Sequence, residues 1–299
     1  MAMIWKGVMP AITTGFKEDL SIDHEFVAKH VNWLVDNGCT GIVTPGSLGE
    51  GNTMTFEERS SLWATVVKAV GDRVPVVAAI SALSTAEAVE QAKTAASRGC
   101  EGLMVLPPYV YKGDWREMKY HVAECFKATK LSCMLYNNPV AYGTDFLPEH
   151  IQELANEFEN FQSVKESSTD VRRVTAIKAL VGNRLDMFVG VDDAIVEAIP
   201  VGAVGWVAGL VSAFPKESVD LFNYASNGEM EKAIKLYNWF LPLLRLDTVP
   251  KFVQLIKLVQ DAVGMGNPRV RPPRLEIVGA ELEQTNAIIQ EALANRPTL

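Results

Sequence analysis

The chain has 299 residues, 48% hydrophobic and 21% charged, an ordinary globular balance. Its formal net charge of -8 comes from 28 basic and 36 acidic residues with no basic run, which argues against a nucleic-acid partner, since phosphate binding needs clustered Lys and Arg. The start MAMIWKGVMPAITTGF lacks a positive segment followed by a long apolar core, no apolar run reaches the length of a membrane span, and Cys39, Cys100, Cys125 and Cys133 are scattered without a CxxC, so we expect a soluble cytoplasmic chain with free thiols and neither disulfides nor a Cys-rich metal site.

Eight short apolar runs recur along the chain. They are GVMPAIT (7–13), GIVTPG (41–46), VPVVAAIS (74–81), GLMVLPP (102–108), SCMLYNNP (132–139), FQSVKESS (161–168), DMFVGVD (186–192) and GAVGWVAG (202–209). Helical patterns separate them. HEFVAKHVNWLVDNG has apolar residues at Phe26, Val27, Val31, Leu34 and Val35, with Gly38 placed to end it. Thr55 with Glu58, and Ser84 with Glu87, have the spacing of capping boxes at the next two helix starts. DVRRVTAIKALVG follows the sixth run, and DDAIVEAIP offers only a short helix before the eighth.

Continuous apolar strands alternating with amphipathic helices indicate a parallel sheet covered on both faces. Eight such units predict a closed (β/α)₈ TIM barrel in preference to a doubly wound open sheet, because no GxGxxG follows the first strand. After Gly209 only helices are expected, the first of them completing a barrel of residues 1–225. Residues 226–299 should form a helical extension packed on it or on a neighbouring subunit, too small to be an independent domain.

Barrel chemistry sits at the C-terminal ends of strands. Read in order, those ends give Thr13, Gly46 and Ser47, Ser81, Pro108 and Tyr109, Tyr136, Lys165, Gly190 to Asp192, and Val207. They contain no histidine: His24, His30, His121 and His150 fall in helices or connections and are expected to pack there. They also lack carboxylates with metal-ligand spacing, and Asp192 and Asp193 read as the N-cap of the following helix. No metal and no cofactor are therefore expected, and a Ser-His-Asp hydrolase is disfavoured.

What remains is Lys165 with Tyr136 and Tyr109 and hydroxyls from Ser47 and Ser81. A lysine is seldom fully buried without a partner. Desolvation in a barrel mouth favours the neutral amine, which attacks a carbonyl to form a Schiff base, an electron sink that acidifies the adjacent carbon. Tyr136, one strand away, is the candidate to move that proton. GSLGE (46–50) reads as a loop whose backbone N–H groups and Ser47 hydroxyl cradle a substrate carboxylate, with Gly46 and Leu48 in the cradle and Gly190 and Val207 facing the substrate from the seventh and eighth strands. PPYVY leaves open whether Tyr109 or Tyr111 faces the site.

Together, GSLGE, PPYVY, YNNP, VKES, GAVGWVAG and RPP (271–273) resemble the dihydrodipicolinate synthase and N-acetylneuraminate lyase superfamily over nearly the whole chain. The resemblance implies a class I Schiff-base enzyme acting on a 2-oxo or cyclic imino acid, commonly as a homo-oligomer, tetramer or dimer. It implies that Lys165 forms the Schiff base and Tyr136 shuttles protons. Ser47 and the Leu48 backbone would hold the carboxylate, and Tyr109 matches a tyrosine that in the synthases reaches into the neighbouring subunit's site.

Two departures bear on substrate. The synthases usually carry two threonines where this chain has Ser47 and Leu48, and an arginine near the position of Ala141 and Tyr142. Leu48 also departs from the Ser-Thr pair of sialic acid lyases. YNNPVAYGTD, VKESSTDVRR, GVDD and GWVAGLVSAFP look most like a subgroup of 1-pyrroline-4-hydroxy-2-carboxylate deaminases, which yield 2,5-dioxopentanoate and ammonia in hydroxyproline breakdown. The alternatives are a pyruvate-dependent aldolase, a dihydrodipicolinate synthase, a 2-keto-3-deoxy sugar acid dehydratase, or a ligand-binding relative without turnover.

Overall fold

The computed structural model describes residues 3–298. All eight expected strands form: β1 Gly7–Val8, β2 Ile42–Thr44, β3 Val76–Ile80, β4 Gly102–Val105, β5 Ser132–Asn137, β6 Phe161–Glu166, β7 Asp186–Val189 and β8 Ala203–Trp206. Every pairing is parallel, in the order β1-β8-β7-β6-β5-β4-β3-β2. The chain just past β1 then closes on β2: Val43 N–H donates to Pro10 O at 2.9 Å and Ile12 N–H to Val43 O at 3.1 Å. The sheet thus curls into the ring of a TIM-type α/β fold. β1 is shorter than its apolar run because Pro10 has no N–H to give to the ladder.

Alternation along the strands divides the core in two. Met9, Ala11, Val43, Val77, Ala79, Met104, Met134, Tyr136, Phe188 and Val207 point into the ring and pack on one another. Their neighbours, among them Val8, Ile42, Val76, Leu103, Cys133, Leu135 and Val164, point outward against the helices. Both faces are buried, which is why the strands read as continuous apolar runs. All four cysteines are buried free thiols.

The outer layer consists of α1 His24–Asp36, α2 Phe56–Val70, α3 Thr85–Ser97, α4 Trp115–Lys127, the single turn α5 Pro139–Tyr142, α6 Pro148–Glu157, α7 Arg172–Val181, the single turn α8 Ile195–Ala198 and α9 Pro215–Ser226. The reciprocal capping box of Thr55 and Glu58 is made at the start of α2. At α3 only half of the expected box forms: Ser84 Oγ accepts from Glu87 N–H, while the Glu87 carboxylate turns to Gln91. Gln91 is committed to Ser81, bonding its backbone N–H at 3.1 Å and C=O at 3.0 Å. Fixing the end of β3 has taken precedence over closing the cap. Gly38 sits two residues past the end of α1, just after its Asn37 cap, at φ 93, a left-handed position that favours glycine.

Beyond α9 come α10 Met230–Leu244, α11 Phe252–Ala262 and α12 Gly279–Ala294. They are tied to the barrel by buried polar bonds. Gln260 of α11 accepts from Thr13 Oγ1 at 2.6 Å, and Lys257 Nζ lies 2.6 Å from the Glu50 carboxylate. Arg271 makes a two-oxygen contact with Glu58 at 2.6 and 2.8 Å. Among the described residues no helix is long and apolar enough to cross a membrane.

Candidate active site

Lys165 occupies the inward position near the end of β6, in register with Tyr136 on β5 and Phe188 on β7. The residue is 5% exposed. Its Nζ lies 4.1 Å from the centroid of the Tyr136 ring, so the amine is held over an aromatic face at the mouth of the barrel. The stem has room because position 190 is glycine: a Cβ there would collide with Lys165 Cε and Ser167 Oγ. Gly190, expected to face the substrate, lies against the lysine stem. The β5 and β6 ends are locked together by Asn137, whose side-chain amide donates to Glu166 at 3.0 Å and Asp145 at 3.1 Å.

Three tyrosines and a serine stand around the amine. Tyr136 Oη accepts from Asn138 Nδ2 at 3.0 Å. Tyr142 packs edge-on against Tyr136, centroids 5.7 Å apart, and its hydroxyl is hydrogen bonded to Ser47 Oγ. Tyr109 tilts against Tyr142 with centroids 5.9 Å apart. Burial, reinforced by the two neighbouring phenols, pushes the Tyr142 hydroxyl well above the ordinary tyrosine range, so it stays protonated and able to relay. The choice in PPYVY falls to Tyr109. Tyr111 turns outward and donates to Glu117 at 2.9 Å, because Val110 between them adopts φ 71 and breaks the alternation.

The loop after β2 puts Gly46, Ser47 and Leu48 beside this cluster. Among the described residues no acceptor pairs with the Ser47 or Leu48 backbone N–H, which leaves both free for an anion. Glu50 pins the loop from behind. It is fully buried at φ 56 and is held by Lys257 and by Arg271 N–H at 2.9 Å. The Leu48 side chain is buried against the outer core and presents no polar group. Val207, just past the end of β8, packs with the residues inside the ring.

Asp192 departs from the sequence expectation. Its carboxylate does not cap the helix after it. It crosses to the loop after β8 and accepts from Gly209 N–H and, at 2.8 Å, Leu210 N–H, serving the following 3₁₀ turn. The chain between is a single-turn helix too short to need the cap. The pairing also draws Asp192 beside Asp247, from the connection between α10 and α11. Ser81 stands apart from the tyrosines, its hydroxyl accepting from Arg59 at 3.0 Å, and Thr13 is spent on Gln260. All four histidines lie in helices, and burial alone holds the His30 imidazole down at about 4, neutral. Among the described residues no cluster of potential metal ligands occurs.

Tyr142 and Asp247 are the residues of this region that sequence reading passed over. Tyr142 stands six residues past Tyr136, and the fold returns it through α5, whose Asn138 cap accepts from Ala141 N–H. A YNNP followed by a second tyrosine was the available signal. Asp247 lies outside the strand ends and gave none.

Comparison with known proteins follows this geometry closely. Residues 4–292 match the Dihydrodipicolinate synthetase family. A 4-hydroxy-tetrahydrodipicolinate synthase of Methanococcus maripaludis is 30% identical over 97% of this chain and 98% of its own length, and one of Caldicellulosiruptor bescii is 30% identical over 98% and 97%. Among solved structures, a dihydrodipicolinate synthase of Bacillus anthracis superposes with a TM-score of 0.93 at 28% identity, covering 99% of this chain and 100% of that one. A putative dihydrodipicolinate synthetase of Pseudomonas aeruginosa gives 0.92 at 28%, covering 97% and 100%.

Proposed function

The chain belongs to the dihydrodipicolinate synthetase family of class I Schiff-base lyases, and from that premise we propose that Lys165 forms the Schiff base and that the enzyme eliminates a hydroxyl from a 2-oxo or cyclic imino acid. The observation that carries this reading is the bonded Ser47–Tyr142 hydroxyl pair packed edge-on against Tyr136, whose ring faces the Lys165 amine. Tyr142 stands near the place where the synthases were expected to carry an arginine for a second carboxylate, and buried Leu48 leaves the loop with one hydroxyl. A site built this way serves one acid substrate and internal proton transfer better than condensation of two acids.

In this reading the free N–H groups of Ser47 and Leu48 bind the substrate carboxylate, with Gly46 giving the loop its turn. Lys165 attacks C2, expelling water from a ketone or the ring nitrogen from a cyclic imine. Tyr136 takes the C3 proton; the donation from Asn138 to its oxygen favours the charge this requires. Loss of a 4-hydroxyl follows. The best-fitting substrate is 1-pyrroline-4-hydroxy-2-carboxylate, giving 2,5-dioxopentanoate and ammonia. Formation of 4-hydroxy-tetrahydrodipicolinate, the reaction named for the relatives at 30% identity, is the second reading. We take barrel and C-terminal helices as one folding unit and infer that it self-associates through the Tyr109 loop.

Borohydride trapping with pyruvate, followed by peptide mapping, should place the adduct on Lys165 and lose it in Lys165→Ala. An unchanged turnover rate in that variant would sink the mechanism. A product assay on the hydroxylated cyclic imine then separates the two readings.

A further inference from the structure

The Lys165 mechanism above uses no carboxyl group, yet two are buried at the same end of the barrel. Asp192 is fully enclosed. Asp247 as a residue keeps partial exposure, but its Oδ1 is sealed from solvent with no hydrogen-bond partner. Both carboxyls close on Gly209: Asp192 accepts from its N–H, and Asp247 Oδ1 lies where a Cβ at position 209 would stand, and two carboxyls this close disfavour a second negative charge. Asp192 already accepts from Gly209 and Leu210 N–H, a setting that favours its anion, so the proton resides on Asp247. Burial first, and then the Asp192 charge, push the Asp247 carboxyl well above the usual carboxylate range.

The surroundings place this acid at the substrate end. Position 209 is glycine, and a Cβ there would collide with Asp247 Oδ1 and approach Leu48 Cδ2 at 2.9 Å. The carboxyl therefore sits between the β8 loop and the carboxylate-binding loop. Neither carboxyl is needed to hold the fold in the manner of an ion pair, and an unpaired buried oxygen is costly unless something occupies it.

We propose that Asp247 is the general acid of the elimination, held protonated by Asp192 and donating to the hydroxyl that leaves C4 of the substrate. This rests on the elimination reading. After Tyr136 has taken the C3 proton, the enamine pair forms the C3–C4 double bond as the C2–N iminium is restored. The C4–O bond breaks with its electrons, the oxygen takes the Asp247 proton, and water departs. Asp247 is left as a carboxylate facing the positive Lys165 iminium, and solvent returns its proton after product release. The chemical class implied is an acid with a poor, protonation-dependent leaving group two carbons from the Schiff base.

Three reactions compared in Asp247→Asn test this. Trapping on Lys165 with pyruvate and exchange of the pyruvate methyl protons, which need no leaving-group acid, should stay within about threefold of the parent. Elimination from the 4-hydroxylated cyclic imine should fall by roughly 100-fold or more, the range of general acid catalysis, while its 4-fluoro analogue, whose leaving group needs no proton, should fall by less than about tenfold. In Asp247→Ala, added formate should restore part of the hydroxyl elimination, an independent check if the amide variant folds poorly. Hydroxyl elimination within threefold of the parent in Asp247→Asn overturns the proposal, and so does an equal loss for the hydroxyl and fluoro substrates, which marks a merely structural carboxyl. A parent enzyme that traps pyruvate but eliminates neither substrate overturns the elimination reading itself, and the acid role with it.

Discussion

Tyr142 shows how much a site owes to a residue that one-dimensional reading assigns to a connection. Its hydroxyl is bonded to Ser47, and its ring is the surface on which both other tyrosines lean. Tyr142→Phe keeps the ring and removes only the relay. We expect kcat to fall roughly 100-fold, at the lower end of proton-transfer catalysis, with Lys165 still trapped by borohydride. Loss of trapping together with kcat would instead make Tyr142 a packing residue. At the same scale, Lys165, Tyr136 and Ser47 were legible in the sequence because strand ends are legible. Asp192 was visible, but its partner was misjudged, since a cap's recipient is fixed by which loop lies above it and not by chain order.

Among the elements, the link between α11 and the loop after β2 merits test. Lys257 is buried over the Phe16 ring and pairs with Glu50, which holds a left-handed backbone at the turn of the loop. Burial pulls the Lys257 ammonium below the usual lysine range, opposed by Glu50. Lys257→Met leaves buried Glu50 facing only the Arg274 side-chain charge, at 4.0 Å, and should cost about 3–5 kcal/mol in denaturant unfolding. Glu50→Gln combined with it should recover much of the loss, because the pair as a whole is worth less than either broken half. An additive double variant would show that Glu50 has sufficient support from Arg271 alone. The half-made box at α3 belongs here too: spacing identified the cap, and a competing bond from Glu87 to Gln91 decided its form.

For the whole molecule, the surface beside the site is the open question. Leu83 after β3 and Val110 and Tyr111 after β4 are 70%, 91% and 54% exposed, next to Tyr109. A β-branched residue at φ 71 with its side chain in solvent is an unfavourable arrangement in an isolated chain, and a neighbouring copy would cover it. Val110→Asp should therefore shift sedimentation towards smaller species and lower turnover with it; an unchanged sedimentation profile would put any self-association elsewhere. By itself the sequence determined the eight strands, their parallel pairing, the helical tail and the placing of Lys165 and Tyr136 at neighbouring strand ends. Each of these is written in local periodicity or in residue type at a strand end, where the backbone dictates direction. Only the tertiary structure decided that Tyr109 and not Tyr111 turns inward, that Tyr142 bonds Ser47 and packs on Tyr136, that Asp192 serves the loop after β8, and that Asp247 joins it. Those four depend on a single reversed φ or on contacts between segments far apart in the chain, and neither leaves a period to read.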